Sequence, residues 1–267
     1  MLDVHTHIFH PKIAEKACQA LKTHYAITPQ GTGLLDDLLV HLETGQFSKA
    51  IVLCAATGAH QVIPANNWAI ELNKHSKLIA FGTIHPDYQN WEKELSRLLK
   101  HDISGLKIHP DFQGFDLADT KLFPIWETIQ DKFWIILHIG DKFSPDQNPS
   151  SPQKLAFILK NFPKLQSKLI IAHLGGYLHW QYALDYIIGQ DIFLDTSSSL
   201  PFIPETILKQ ILARHNPEKI LFGSDYPLFL PEKEKQRILE HPLLQTRFWF
   251  QLEQNSNNFL KMFLKQN

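Results

Sequence analysis

Eight short apolar runs, each followed by a stretch of helical periodicity, predict a (β/α)8 barrel of the TIM type. Three observations carry this expectation. The runs are nearly continuous in Ile, Leu, Val and Phe, as strands buried on both faces require. They recur through 267 residues, the length of one such barrel. Residues able to do chemistry collect where the runs end, and barrels of this kind carry their sites there. A doubly wound open sheet would not gather eight strand ends around one mouth. No linker, low-complexity tract or charge run divides the chain, so residues 1–267 read as one domain.

The first run is Met1-Leu2-Asp3-Val4-His5-Thr6-His7. With the period of two of a strand, Asp3, His5 and His7 fall on one face, Leu2 and Val4 on the other. A helix over 11–21 follows, with Pro11 at its start where the missing N–H costs nothing. A second helix over 34–42 stops at Gly45. Further strand-and-helix pairs are predicted at 49–54 with 68–74, 78–84 with 91–100, and 104–109 with 123–130. The remaining pairs are 133–138 with 152–161, 168–173 with 181–188, and 191–195 with 205–213. Strand eight spans 219–223, and helices over 234–239 and 244–263 close the chain.

Composition narrows the function. With 26 Lys+Arg against 27 Asp+Glu, nothing electrostatic points to nucleic acid or an anionic membrane. No run approaches the ~18 apolar residues of a membrane span, and no secretory leader pattern opens the chain. Two cysteines, Cys18 and Cys54, make no disulfide framework, and a reducing cytoplasm is the expected compartment. The anomaly is 15 histidines.

Those histidines are not scattered. Strand one ends in His5 and His7, strand three in His85, strand four in Lys107 and His109, strand five in His138 and strand six in His173. Strand eight runs into Asp225. In strand four, Leu106 and Ile108 suit the helix side, which aims Lys107 and His109 into the mouth. A buried lysine is costly without a partner. His-Pro recurs at His85-Pro86 and His109-Pro110, where a simple strand-end turn is the competing explanation. Gly175-Gly176 reads as a tight turn rather than a phosphate cradle. The stretch Asp195-Thr-Ser-Ser-Ser199 reads as helix capping and a solvated loop, and His24, His41, His60, His75, His101, His179, His215 and His241 as surface or loop residues. The loops over 25–33, 57–65 and 141–151 are expected to shape the pocket, the last as a mobile lid. Phe112, Phe115 and Phe143 either line the site or pack these loops.

Asp3-Val-His5-Thr-His7, Gly105-Leu-Lys-Ile-His-Pro110, Leu137-His138, Ile171-Ala-His-Leu-Gly-Gly176 and Gly223-Ser-Asp-Tyr-Pro227 together resemble the amidohydrolase superfamily. They are most similar to its amidohydrolase-related branch, which includes the aminocarboxymuconate-semialdehyde decarboxylase-like enzymes. The resemblance implies His5, His7 and His138 as ligands of a divalent metal. It implies Asp225 as ligand and proton shuttle, and His173 as ligand or as a group touching water or substrate. Lys107 occupies the position where some relatives carry a carbamylated lysine bridging two ions. One ion is favoured here, with two if Lys107 is carbamylated. Nitrogen-rich ligation suits Zn2+ best, with Mn2+ or Fe2+ as alternatives.

The function expected first is a hydrolase in which a metal-activated water attacks an ester, lactone or amide carbonyl of a small molecule. A decarboxylase of a small carboxylated ring is the alternative. A TatD-type nuclease fits less well, because Lys107 stands where that group has Glu; a non-catalytic metal-binding barrel is the remaining option. No nucleic acid or membrane partner is expected, and oligomeric state is open, a homodimer included.

Overall fold

The computed structural model describes residues 1–265. Its strands are β1 (Leu2–Thr6), β2 (Lys49–Leu53), β3 (Leu78–Thr83), β4 (Gly105–Ile108), β5 (Trp134–Leu137), β6 (Leu169–Ile171), β7 (Phe193–Asp195) and β8 (Ile220–Leu221). They pair in parallel in the order β1-β2-β3-β4-β5-β6-β7-β8. The segment following β8 closes the ring onto β1. Val4 N donates to Phe222 O at 2.9 Å, Asp225 N to His5 O at 2.8 Å and His7 N to Tyr226 O at 2.7 Å. The predicted barrel is present.

Helices wrap the outside: α1 (Ala14–Tyr25), α2 (Leu35–Thr44), α3 (Val62–Leu72), α4 (Trp91–Lys100), α5 (Pro110–Gln113) and α6 (Phe123–Ile129). They are followed by α7 (Pro152–Asn161), α8 (Trp180–Tyr186), α9 (Glu205–Arg214), α10 (Pro231–Glu240) and α11 (Gln245–Lys265). Local chemistry supports them. Pro occupies the first turn of α7 and α10. In α4, Glu92 and Glu94 sit in the first turn and Arg97 and Lys100 in the last, as the helix dipole favours. None of the described helices is long and apolar enough to cross a membrane.

Two apolar layers follow from strand alternation. Val52, Ala80, Leu106, Ile108, Ile135, Leu137, Leu169 and Ile171 pack outward against helix residues such as Leu38, Leu98, Ile125, Leu155 and Ile211. A separate inner cluster holds Leu2, Val4, Ile51, Leu53, Phe81, Trp134, Ile136, Ile170, Phe193 and Leu221. Phe259 and Phe263 of α11 join it, with the Phe259 ring 4.8 Å from Trp134. Each fully buried side chain of this kind contributes about 1.5–3 kcal/mol. The C-terminal helix therefore plugs the end where strands start, and polar side chains are confined to the other end.

One expectation fails in β1. Its pairing with β2 slips between Asp3 and Thr6, so strict alternation breaks. Leu2 and Val4 face the barrel interior, and His5 does too. Asp3 leaves the histidines' face: its Oδ1 accepts from His5 N at 3.1 Å and Ser224 N at 3.0 Å, tying β1 to the segment after β8.

Candidate metal centre at the barrel mouth

The strand ends bring His5, His7, Lys107, His109, His138, His173 and Asp225 into one polar cluster. His5, His138, His173 and Lys107 are buried, and His7 is partly exposed. His5, His173 and Asp225 offer donor atoms all within 4.8 Å of one another. Asp225 Oδ1 lies 3.5 Å from His5 Nε2 and 3.6 Å from His7 Nε2. His138 joins through its Nδ1, 3.0 Å from His173 Nε2.

Hydrogen bonding settles which nitrogen of each ring is free. A carbonyl or carboxylate oxygen only accepts, so the ring nitrogen bonded to it must carry the hydrogen. His5 Nδ1 donates to Asp195 Oδ2 at 2.8 Å and His7 Nδ1 to Leu53 O at 3.0 Å. His138 Nε2 donates to Gly140 O at 2.8 Å and His173 Nδ1 to Ser197 O at 2.9 Å. In every neutral ring the other nitrogen bears a lone pair, and these lone pairs turn towards one another and towards Asp225. With those tautomers His138 Nδ1 and His173 Nε2 meet acceptor to acceptor at 3.0 Å, a repulsion that a cation bound between them would relieve. The donor set fits a divalent metal.

Electrostatics agree. Burial holds the His7 imidazolium down to about 3 and the His173 imidazolium down to about 4. It holds His138 and His109 well below the usual histidine value. All are neutral near pH 7, the form that ligates metal. Burial pushes the Asp225 carboxyl up, but His5, His173, His7 and a bond from Ser198 Oγ at 2.5 Å outweigh it and hold the group ionised. Burial lowers Lys107 to about 8, against the pull of Asp225 and Asp195. Its Nζ points at His5 Nε2 from 3.4 Å.

The backbone is bent to serve this cluster. His173, Leu174, Ser198 and Asp225 all have positive φ, at 62°, 51°, 47° and 65°. Such conformations cost of order 1 kcal/mol each in non-glycine residues and gather at functional sites. Gly175 and Gly176 complete the turn after β6, as expected. Gly223 has a different task. A Cβ there would sit 2.8 Å from the Cβ of His5 and 3.1 Å from that of Ser197. Gly223→Ala is expected to lower the denaturant midpoint by an amount equivalent to about 1–3 kcal/mol, because the crowding must displace His5; an unchanged midpoint would refute the close-packing argument.

Other expectations divide. His109 lies flat between Phe112, at 4.3 Å, and His138, at 3.8 Å, and its Nε2 is 3.3 Å from Tyr25 Oη. His109, Asp111 and His138 also offer donor atoms within 4.8 Å. Because the two rings are stacked, their in-plane nitrogens point side by side rather than converging. His85 is structural, bonded to Gln113 O at 2.9 Å. Phe112 lines the mouth, Phe115 packs against His85, and Phe143 is largely exposed.

Three expectations are corrected. Asp195, Thr196, Ser197, Ser198 and Ser199 are buried, not solvated, and they brace the histidines and Asp225. His179 and His215 are buried and bonded to Phe143 O and Ile192 O. His24 is partly buried and bonded through Nε2 to Asp141 Oδ2 at 2.7 Å. That bond and the buried Asn148, Ser150 and Ser151 tie the 141–151 loop to the barrel at several points. Asp195 ends β7 as the histidines end their strands, so its position was the signal available.

Fold and site together define a (β/α)8 barrel with a histidine-rich, carboxylate-containing cluster able to hold metal. The chain belongs to the amidohydrolase family: the model described as Amidohydrolase matches residues 2–255. Comparison with curated protein sequences gives no match. Among solved structures, an uncharacterised TIM-barrel protein from Bordetella bronchiseptica superposes with a TM-score of 0.77 at 14% identity, covering 98% of this chain and 99% of that one. The 2,6-dihydroxybenzoate decarboxylase from Rhizobium gives 0.70 at 14% identity, covering 98% of both chains. A dihydroxybenzoic acid decarboxylase from Polaromonas, with bound manganese and 2-nitroresorcinol, gives 0.68 at 14% identity, covering 98% and 96%.

Proposed function

We propose that the protein is a metal-dependent decarboxylase of a small carboxylated ring. The observation that carries this reading is the aromatic wall around the imidazoles. Tyr25 lies 5.7 Å from Phe112 and 5.6 Å from Tyr177, edge to face in both cases, while Phe112 stacks on His109 and Tyr177 meets His173 at 5.8 Å. Flat apolar surfaces of this kind accept a planar ring. The Rhizobium and Polaromonas structures, named as decarboxylases, support the same reading.

His5, His7, His138, His173 and Asp225 would hold one divalent ion, with zinc the species this nitrogen-rich set suits best and manganese or iron the alternatives. When bound, that ion supplies a positive charge that anchors and polarises an anionic substrate. Asp225, ionised and steadied by Ser198, takes a proton from the substrate and returns it at the ring carbon that loses carbon dioxide. Lys107 adds a buried positive charge beside the departing carboxylate. Tyr25, Phe112 and Tyr177 limit water at the ring.

Hydrolysis is the second reading, and the ionised state of Asp225 favours it, because a carboxylate is ready to take a proton from water. Isotope tracing separates the two. Decarboxylation moves label from a heavy-carbon carboxylate into carbon dioxide and puts one solvent deuteron on the ring, while hydrolysis puts labelled water oxygen into the product. Absence of turnover by zinc-, manganese- and iron-loaded protein on both carboxylated phenols and esters or lactones would refute both. Elemental analysis of purified protein decides the metal and its count.

A further inference from the structure

Asp195 is a buried carboxylate that the proposed chemistry does not use, and its two oxygens do different things. Oδ1 accepts from three donors: His173 N at 3.1 Å, Ser197 N at 3.0 Å and Ser197 Oγ. Oδ2 accepts from His5 Nδ1 at 2.8 Å. Ser197 Oγ, its hydrogen committed to Asp195, turns its lone pairs to His5 Nδ1 and His173 Nδ1, each at 3.0 Å. One side chain at the end of β7 thus fixes a ring on β1 and the strained backbone turn after β6.

We propose that Asp195 is a positioning residue that sets the tautomer of His5, keeping Nδ1 protonated so that the Nε2 lone pair faces the metal centre. The inference rests on the reading of these imidazoles as metal ligands. Asparagine at 195 makes it testable, because its orientation is forced. The three donors facing Oδ1 demand an acceptor, so the amide oxygen must take that place. The amide nitrogen then faces His5 Nδ1 and can only donate to it. That N–H opposes a hydrogen on Nδ1 more directly than the weaker Ser197 Oγ acceptor supports it, so the hydrogen of His5 shifts to Nε2 and the lone pair leaves the centre. The substitution leaves the side-chain volume almost unchanged and keeps the three bonds to the Oδ1 position.

Two measurements on the full chain test this. In metal-free protein with nitrogen-labelled histidine, the ring signals of His5, assigned against His5→Gln, report Nδ1–H in the wild type and Nε2–H in Asp195→Asn. Affinity for Zn2+ alone, by competition with a chromogenic chelator, falls by about 10–100-fold in Asp195→Asn, the usual effect of losing a ligand's hydrogen-bond partner. Ser197→Ala keeps the Oδ2 bond, so His5 retains Nδ1–H. Finding Nε2–H in the wild type overturns the proposal whether or not the variant folds, as does a variant that keeps Nδ1–H. If the tautomer inverts while wild-type protein binds no divalent ion, the role of Asp195 stands and the metal-dependent function falls.

Discussion

Asp225→Asn is expected to lower kcat/KM by about 10²–10⁴-fold, the contribution of a positioned acid–base group. Its fold should survive. Ser198 Oγ donates to Asp225 Oδ2, so the amide oxygen of the variant takes that position and the amide nitrogen turns to the other side. There it meets His5 Nε2 and His7 Nε2, which lie 3.5 Å and 3.6 Å from Oδ1 in the native chain. An N–H pointed at two lone pairs is satisfied in the metal-free protein and competes with a cation for the same atoms. The expected signature is a melting temperature within a few degrees of wild type without metal, combined with lost activity and weakened zinc binding. Activity within a few-fold of wild type on the isotope-traced substrate would remove Asp225 from the mechanism.

The barrel was legible because each of its strands is buried on both sides and so reads as a short apolar run. The mouth was legible because His138, His173 and Asp225 end such runs, and ends of parallel strands share one side. Strand β4 shows alternation working: Leu106 and Ile108 pack on helices while Lys107 points inward. Strand β1 shows its limit, since a slipped register puts Val4 and His5 on the same side and turns Asp3 away. The serine-rich segment after β7 failed for another reason. Alone, Asp195 to Ser199 has the composition of a loop; its partners, His5 and Asp225, come from β1 and the segment after β8. Contacts that distant leave no periodic trace. The same holds for Tyr25, which a helix end carries across the mouth to His109.

Metal-free protein should lose stability steeply as pH falls from about 6.5 to about 4, and the sign follows from the histidines. In the unfolded chain an imidazole titrates near 6.5. In the folded chain burial holds His7 to about 3 and His173 to about 4, with His109 and His138 well below normal. Across that window the unfolded state binds protons that the folded state excludes, so stability is full above the window and is lost on acidification. Two carboxyls act oppositely. Burial raises Asp3 to about 7 and Asp111 to about 6, so the stability each contributes is present at low pH and lost as pH rises through those values. Glu234 is raised as well, but His215, held to about 4, and His179 join the lowered imidazoles, so the histidines outnumber the carboxyls and acidification lowers stability on balance. A divalent ion changes the curve, because it binds only the neutral rings. At a hundredfold excess over its dissociation constant it adds about 2.7 kcal/mol near neutral pH, and protons erase that increment as they compete for the same nitrogens. Melting curves with a chelator and with zinc should therefore lie apart near pH 7 and converge towards about pH 4.5. Coincident curves at neutral pH would show that the inward lone pairs hold no ion, and the proposed metal-dependent chemistry would fall with them.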